Sequence, residues 1–228
     1  MNAASMSEPL TRSVEDYLKA IYRLSPGGRT AATSEIAHAL ELSPASVSGM
    51  IKRLSEQGLL EHAPYRGVQL TAEGLRQALR MVRRHRLLET YLVAFLGYSW
   101  DTVHDEAERL EHAVSDELIE RMAGALGNPG FDPHGDPIPD ADGSVAELAC
   151  TPLSEIEPGD TVEIRRVRTE NGDLLRYLGA LDLRPGVQVQ VVEREPFRGP
   201  ITVVADGHQR VLGHEVAGQL LCQTMGDA

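Results

Sequence analysis

The chain is poor in cysteine. Cys150 and Cys222 are the only two in 228 residues, and they lie far apart with no CxxC pairing. Neither a zinc knot nor a disulfide framework is expected, and a reducing cytoplasm is the natural setting. No apolar run reaches bilayer length, and the N-terminus lacks the basic-then-apolar pattern of a secretion leader, so no membrane partner is expected. Positive charge is also short: 22 Lys and Arg against 34 Asp and Glu give a formal net charge of −12. That balance argues against constitutive nucleic-acid binding through bulk charge, while leaving room for a local basic surface and spare carboxylates for cations. HExxH, GxSxG and glycine-rich phosphate loops are absent, and no nucleophile stands beside an identifiable base. An enzyme is not expected.

The 42% of hydrophobic residues suffices for real cores, and the length favours more than one domain. "SVEDYLKAIYRL" from Ser13 to Leu24 has a helical apolar period. "TSEIAHALEL" follows as a short helix with Thr33 or Ser34 as cap, then "SPASVSGMIKRLSEQGLL", where Ser43 caps, Pro44 takes the first helical position and Gly58 ends the helix. "LLEHAPYRGVQLT" alternates as a hairpin turning around Pro64–Gly67. Helix, short helix, four-residue link "LELS", helix and hairpin make a winged helix-turn-helix over residues 1–75. A long helix from about Thr71 to Phe95 and another over about residues 100–125 place a helical domain at 76–127. "GALGNPGFDPHGDPIPDADGS" reads as a turn-filled linker, 128–152. Strand-like segments with one short helix, "ENGDLLRYLGAL", fill 153–228 and suggest an SH3-like barrel. The expected class is mainly α with a small β domain.

Two sets of residues carry chemistry. Ser43, Ala45, Ser46, Ser48 and Gly49 form the outward N-terminal side of the third helix. These small side chains admit phosphates and base edges closely but offer no bidentate base contact, so DNA shape shares in the readout. Lys52, Arg53 and the hairpin's Arg66 would hold phosphates. In "HDEAERLEHAVSDE", His104, Glu108, Glu111 and His112 project within an arc of about 100°, beside an apolar stripe of Val103, Ala107, Leu110, Val114 and Leu118. Glu108, Glu111 and His112 converge at i, i+3 and i+4. His85 and Glu89 form an i, i+4 pair one helix earlier, which His104 could join. By spacing alone this is either a solvated charged face or a place for divalent cations. His38, His62, His134, His208 and His214 have no convergent partners in sequence and read as surface or loop residues.

Taken together, "SVEDYLKAIYRL", "SPASVSGMIKRLSEQGLL", "YRGVQLTAEG", "RRHRLLETYL" and "VHDEAERLEHAVSDE" resemble the diphtheria-toxin-repressor family of metal-dependent transcriptional regulators, including its manganese-transport-regulator branch. The resemblance implies a winged helix, a helical dimerisation and metal domain, and a C-terminal SH3-like domain. It implies a primary metal site at Asp16, Glu108, Glu111 and His112, and an ancillary site at His85, Glu89 and His104, with Glu170, or else Asp173, from the last domain. Iron-responsive members typically have Met and Cys where this chain has Asp16 and Glu108. Hard oxygen donors there favour Mn²⁺, with Fe²⁺ the runner-up. The two-manganese branch has an acid one turn after the first-helix aspartate. Here that residue is Lys19, which favours two separated sites. The implied function is a manganese-responsive, homodimeric repressor of metal-uptake genes on a palindromic operator. The alternatives are an iron-responsive regulator, a metal-indifferent winged-helix regulator, or a metal-handling protein whose winged helix contacts a partner.

Overall fold

The computed structural model describes residues 10–63 and 67–224. The chain divides into two compact units, one running to Arg83 and including Pro139–Ser144, the other made of Arg84–Ile138 and the chain from Val145 on.

The first unit holds α1 (Arg12–Leu24), α2 (Thr33–Ala39), α3 (Pro44–Glu56), β1 (Leu60–Ala63), β2 (Gly67–Leu70) and the start of α4 (Ala72–Leu96). Its core gathers Leu18, Ile21, Ile36, Val47, Ile51, Leu54 and Val68 from every element before α4 except β1, which adds Leu60. The expected hairpin is present, with Leu60 opposite Leu70 and His62 opposite Val68, and Ala31 adds a bridge to Val68. Its turn, including Arg66, lies outside the described residues. Ser43 caps α3 by accepting from Ser46 N–H, and Pro44 opens the helix as its fixed φ suits. The cap of α2 differs from expectation. Ala32 holds that position, and its N–H is satisfied by the Glu35 carboxylate reaching back at 2.7 Å, with Arg29 holding that carboxylate in turn. Thr71 caps α4 by accepting from Gly74 N–H.

In the second unit, the helix expected over residues 100–125 is two. α5 (Val103–Leu110) ends in a turn, and α6 (Asp116–Ala125) begins on Ser115, whose hydroxyl accepts from Leu118 N–H. Ser-Asp-Glu is a helix-start signal, a capping hydroxyl followed by acids in the first turn. The break ends the predicted apolar stripe: Val103 and Ala107 are buried, whereas Leu118 is 41% exposed. Leu87, Leu88, Ala107, Ile119, Ala123 and Ile138 form the helical core.

The same unit carries an antiparallel six-stranded sheet in the order β3-β8-β4-β5-β6-β7. These strands are β3 (Thr151–Pro152), β4 (Thr161–Val167), β5 (Gln188–Arg194), β6 (Ile201–Ala205), β7 (His208–Leu212) and β8 (Leu220–Thr224), with α7 (Gly172–Ala180) and the short α8 (His214–Ala217) between them. It is the SH3-like part of the chain. Trp100, from the connection between α4 and α5, is buried in this sheet's own core under the Arg184 guanidinium. The supposed linker is built in as well. Residues 131–138 form a tight loop closed by a Phe131–Pro137 bridge. A Cβ on Gly135 would lie 2.0 Å from Arg165 O, so only glycine lets the loop meet β4.

Two helical glycines should respond oppositely to the same change. A Cβ on Gly74 would lie 2.0 Å from Leu59 O, whereas one on Gly49, mid-α3, meets nothing within 4 Å. Gly74→Ala is expected to cost about 1–3 kcal/mol, and Gly49→Ala to add up to about 1 kcal/mol. Urea midpoints of the full chain measure both, and shifts of the same sign would contradict the close approach at Gly74.

Candidate metal centre

α4 brings His85 and Glu89 to one face, one turn apart, and both are buried. α5 presents His104 and Glu108, and because it ends at Leu110, Glu111 and His112 sit in the turn that follows. His85 is held from both sides. Its Nδ1 lies 2.6 Å from Glu111 Oε2, which is fully buried, and with Glu111 ionised the ring donates Nδ1–H there. This leaves Nε2 facing Glu89 Oε1 at 2.9 Å and His104 Nδ1 at 3.1 Å, and His104 Nδ1 is itself 3.1 Å from Glu89 Oε1. These three atoms form a nearly equilateral triangle whose edges match the face of an octahedron with bonds of about 2.1 Å. A proton on one ring nitrogen can point along only one edge, whereas a cation over the triangle is shared by all three corners. The donors are nitrogen and oxygen only, and the fit to a hard or borderline divalent ion is good. The carboxylate–histidine contact behind His85 is the arrangement that fixes a ligating tautomer.

Glu108 Oε1 lies 3.7 Å from both His85 Nδ1 and His104 Nε2, and Glu111 Oε1 lies 3.4 Å from His112 Nε2. The two ligand sets expected to be separate are therefore contiguous, joined through Glu108 and Glu111. On the far side Glu170 Oε2 stands 3.5 Å from His104 Nε2. Asp173 is instead exposed and pairs with Arg176. Asp16 lies half-buried on α1 of the first unit, and Lys19, one turn on, is buried.

Sequence reasoning missed two residues. His134 is buried, not on the surface, and with Asp132 and Glu89 it forms a further buried group of potential ligand atoms. Nothing periodic announces them, because they are placed by the tight Asp-Pro-His-Gly-Asp-Pro loop. The Asp132 and Gly135 signals in that run mark a turn, and only the packing makes it an interior one. His134 Nε2 lies 2.7 Å from Trp100 O, an obligate acceptor, and His134 Nδ1 lies 3.6 Å from Glu89 Oε2. His38, His62 and His208 are exposed and His214 is half-buried, in keeping with surface or loop roles.

The charges here respond strongly to one another. Burial pushes the Glu89 carboxyl up, but hydrogen bonds from His104, His134 and His85 outweigh it and hold the group well below the usual range. Burial, followed by Asp136 and Glu89, pushes Asp132 up to about 7. Burial opposes the charge on His134, yet Glu89 and Asp132 raise it to about 9. Two arginines of α4 are drawn inward: Arg84 pairs with Asp116, and Arg86 with Asp136 and, at 3.7 Å, with Asp132.

On α3, Ser43, Ala45, Ser46, Ser48, Gly49, Lys52 and Arg53 are all exposed. Ser48 donates to Pro44 O, and Lys52 makes a loose 3.9 Å pair with Glu56. After Pro44 the face carries no side chain longer than serine before Lys52, apart from half-buried Met50 and the buried Val47 and Ile51.

Known proteins are similar to this chain along most of its length. Residues 9–68 match the iron dependent repressor N-terminal DNA binding domain, 71–140 the iron dependent repressor metal binding and dimerisation domain, and 151–224 the FeoA domain. The iron-dependent repressor IdeR of Mycobacterium leprae is 35% identical over 221 residues, covering 91% of this chain and 95% of that protein. The diphtheria toxin repressor of Corynebacterium diphtheriae is 34% identical, covering 87% and 91%. A solved manganese-dependent transcriptional repressor in complex with manganese is 41% identical with a TM-score of 0.87, covering 93% of this chain and all of the other. ScaR with bound Cd²⁺ is 33% identical with a TM-score of 0.79, covering 93% and 99%. The chain thus belongs to the diphtheria toxin repressor family of metal-dependent DNA-binding repressors.

Proposed function

We propose that this protein is a manganese-responsive repressor of metal-uptake genes, acting as a homodimer on a palindromic operator. Residues 1–75 read the DNA, 76–127 dimerise and hold metal, 128–152 connect, and 153–228 form the SH3-like part. Asp16, Glu108, Glu111 and His112 would hold one divalent ion, and His85, Glu89, His104 and Glu170 another. The bound ion supplies the positive charge that lets closely set carboxylates share one locus. Glu111 orients His85 while contributing to the first set, so filling either set stiffens the other. Asp16 belongs to the DNA-reading unit, and engaging it biases that unit toward one placement of α3. In a two-fold dimer this sets the spacing of two recognition helices against two half-sites. Lys52, Arg53 and Arg66 hold phosphates, and Ser43, Ala45, Ser46, Ser48 and Gly49 face the groove. The setting proposed is cytoplasmic. No described helix is long and apolar enough to cross a membrane.

The observation that carries this reading is the sulfur-free triangle of His85, His104 and Glu89. The choice of manganese rests on the oxygen donors Asp16 and Glu108 and on likeness to a manganese-dependent repressor. Likeness to iron-dependent repressors supports Fe²⁺ as the second reading.

Duplexes selected from a random pool by the Mn²⁺-loaded protein provide the probe. Stringent chelation is expected to weaken their retention by tenfold to a hundredfold, on the order of allosteric couplings of this kind, and Mn²⁺ to restore it. Equal retention after chelation would reject the mechanism, and restoration by Fe²⁺ at lower free concentration under anaerobic conditions would move the assignment to iron.

Glu108→Ala and Glu111→Ala are expected to show the weak, chelated level of retention even with Mn²⁺ present. Unchanged affinity in Glu108→Ala would identify a metal-indifferent winged-helix regulator instead. Metal uptake without any salt-dependent DNA affinity would identify a metal-handling protein.

A further inference from the structure

Glycine weakens a helix interior more than any residue but proline, so a helical glycine calls for a reason. Elsewhere in this chain the reason is contact. An added Cβ would lie 2.0 Å from Leu59 O at Gly74, 2.7 Å from Asp101 O at Gly172, and 3.0 Å from the Trp100 indole nitrogen at Gly179. Gly124 has open space around it, but it stands in the last turn of α6, where the loss is small. Gly49 fits neither case. It is the sixth of the thirteen residues of α3, its φ is not positive, it is exposed, and an added Cβ would meet nothing within 4 Å. The missing side chain does nothing for the fold.

Its place on the helix is equally specific. At about 100° per residue, the buried Val47, Ile51 and Leu54 centre on one side of α3. Ala45 and Gly49 stand within about 30° of the opposite line, on the crest furthest from the core. Lys52 and Arg53 follow one turn later, about 50° to either side of that line, and both are exposed. Ser43 Oγ accepts from Ser46 N–H and Ser48 Oγ donates to Pro44 O, so both hydroxyls are engaged by the helix itself. At its crest α3 therefore offers little beyond backbone, one methyl group and the Gly49 α-hydrogens, with a cation on each flank.

A helix with its side chains is about 10–12 Å across, and the DNA major groove is about 12 Å wide. A bare crest lets the helix seat closer to the base edges, while the flanking cations stay within reach of phosphates on the two walls. The apolar group that a base edge itself projects into that groove is the thymine C5-methyl.

We infer that Gly49 is a specificity-determining position, at which the bare backbone of α3 takes up the C5-methyl of an operator thymine. The inference rests on the repressor reading above and adds to it the base that the helix reads and the means of reading it. A Cβ at Gly49 would fill the space that the methyl group occupies and hold the helix away from it, without harm to the fold.

Full-length protein saturated with Mn²⁺, with duplexes that it selects from a random pool, tests this. Each thymine of the selected half-site is replaced in turn by uracil, which removes only the methyl group. One such replacement is expected to weaken wild-type retention about fourfold, the scale of a single buried methyl. Gly49→Ala, folded by its urea midpoint, is expected to retain the thymine duplex on the order of tenfold more weakly than the wild type. It should also be indifferent to uracil at that one position, and this coupling between the two changes identifies the contact. Pools selected by Gly49→Ala should lose the thymine there and keep the rest of the half-site.

Retention by Gly49→Ala as tight as that of the wild type, or a uracil effect equal in both proteins at every position, would overturn the inference. If wild-type retention still rises with Mn²⁺, either result leaves the repressor reading standing. A wild type that retains no duplex removes both.

Discussion

Everything around the α4–α5 pair answers to buried negative charge. Glu89 and Glu111 are almost completely removed from water, with Asp132 close by and Glu108 at the edge of the same group. A buried carboxylate without a partner is among the most costly features a fold can contain. Among the described contacts the compensation comes from imidazoles and from Arg86. A divalent cation would add to it.

The winged helix was legible because each step has a local cause: Ser43 and Pro44 start α3, Gly58 stops it, and alternation marks the hairpin. The ligand-rich stretch was legible only as a cluster of donors: spacing left a solvated face and a cation site equally open, and the family resemblance pointed to metal. What could not be read were features set by tertiary contact. The stop after Leu110 had a visible sign in Ser115, but helical periodicity continuing through Val114 and Leu118 masked it. Glu111 and His112 consequently come from a turn and not from a helical stripe.

The loop carrying Asp132 and His134 is the clearest case of information absent from local sequence. Proline, glycine and aspartate report a turn whether it faces water or lies inside, and their composition here resembles a linker. Burial comes from Gly135 against β4, from Arg166 on Asp136, and from Trp100 against His134, all of them contacts distant in sequence. Choosing between Glu170 and Asp173 was likewise beyond spacing arguments, because α7 turns Asp173 toward Arg176 and leaves Glu170 beside His104.

Trp100 has a wider consequence. Its indole belongs in sequence to the helical part but completes the hydrophobic interior of the sheet. Removing the sheet would strip the cover from an aromatic surface of roughly 200 Å² and release the peptide carbonyl's histidine from its support. The C-terminal region is therefore no detachable appendage. A shortened form of this protein would have to replace the tryptophan with a polar residue, and rebuild the adjoining loop, before it could remain dispersed in solution.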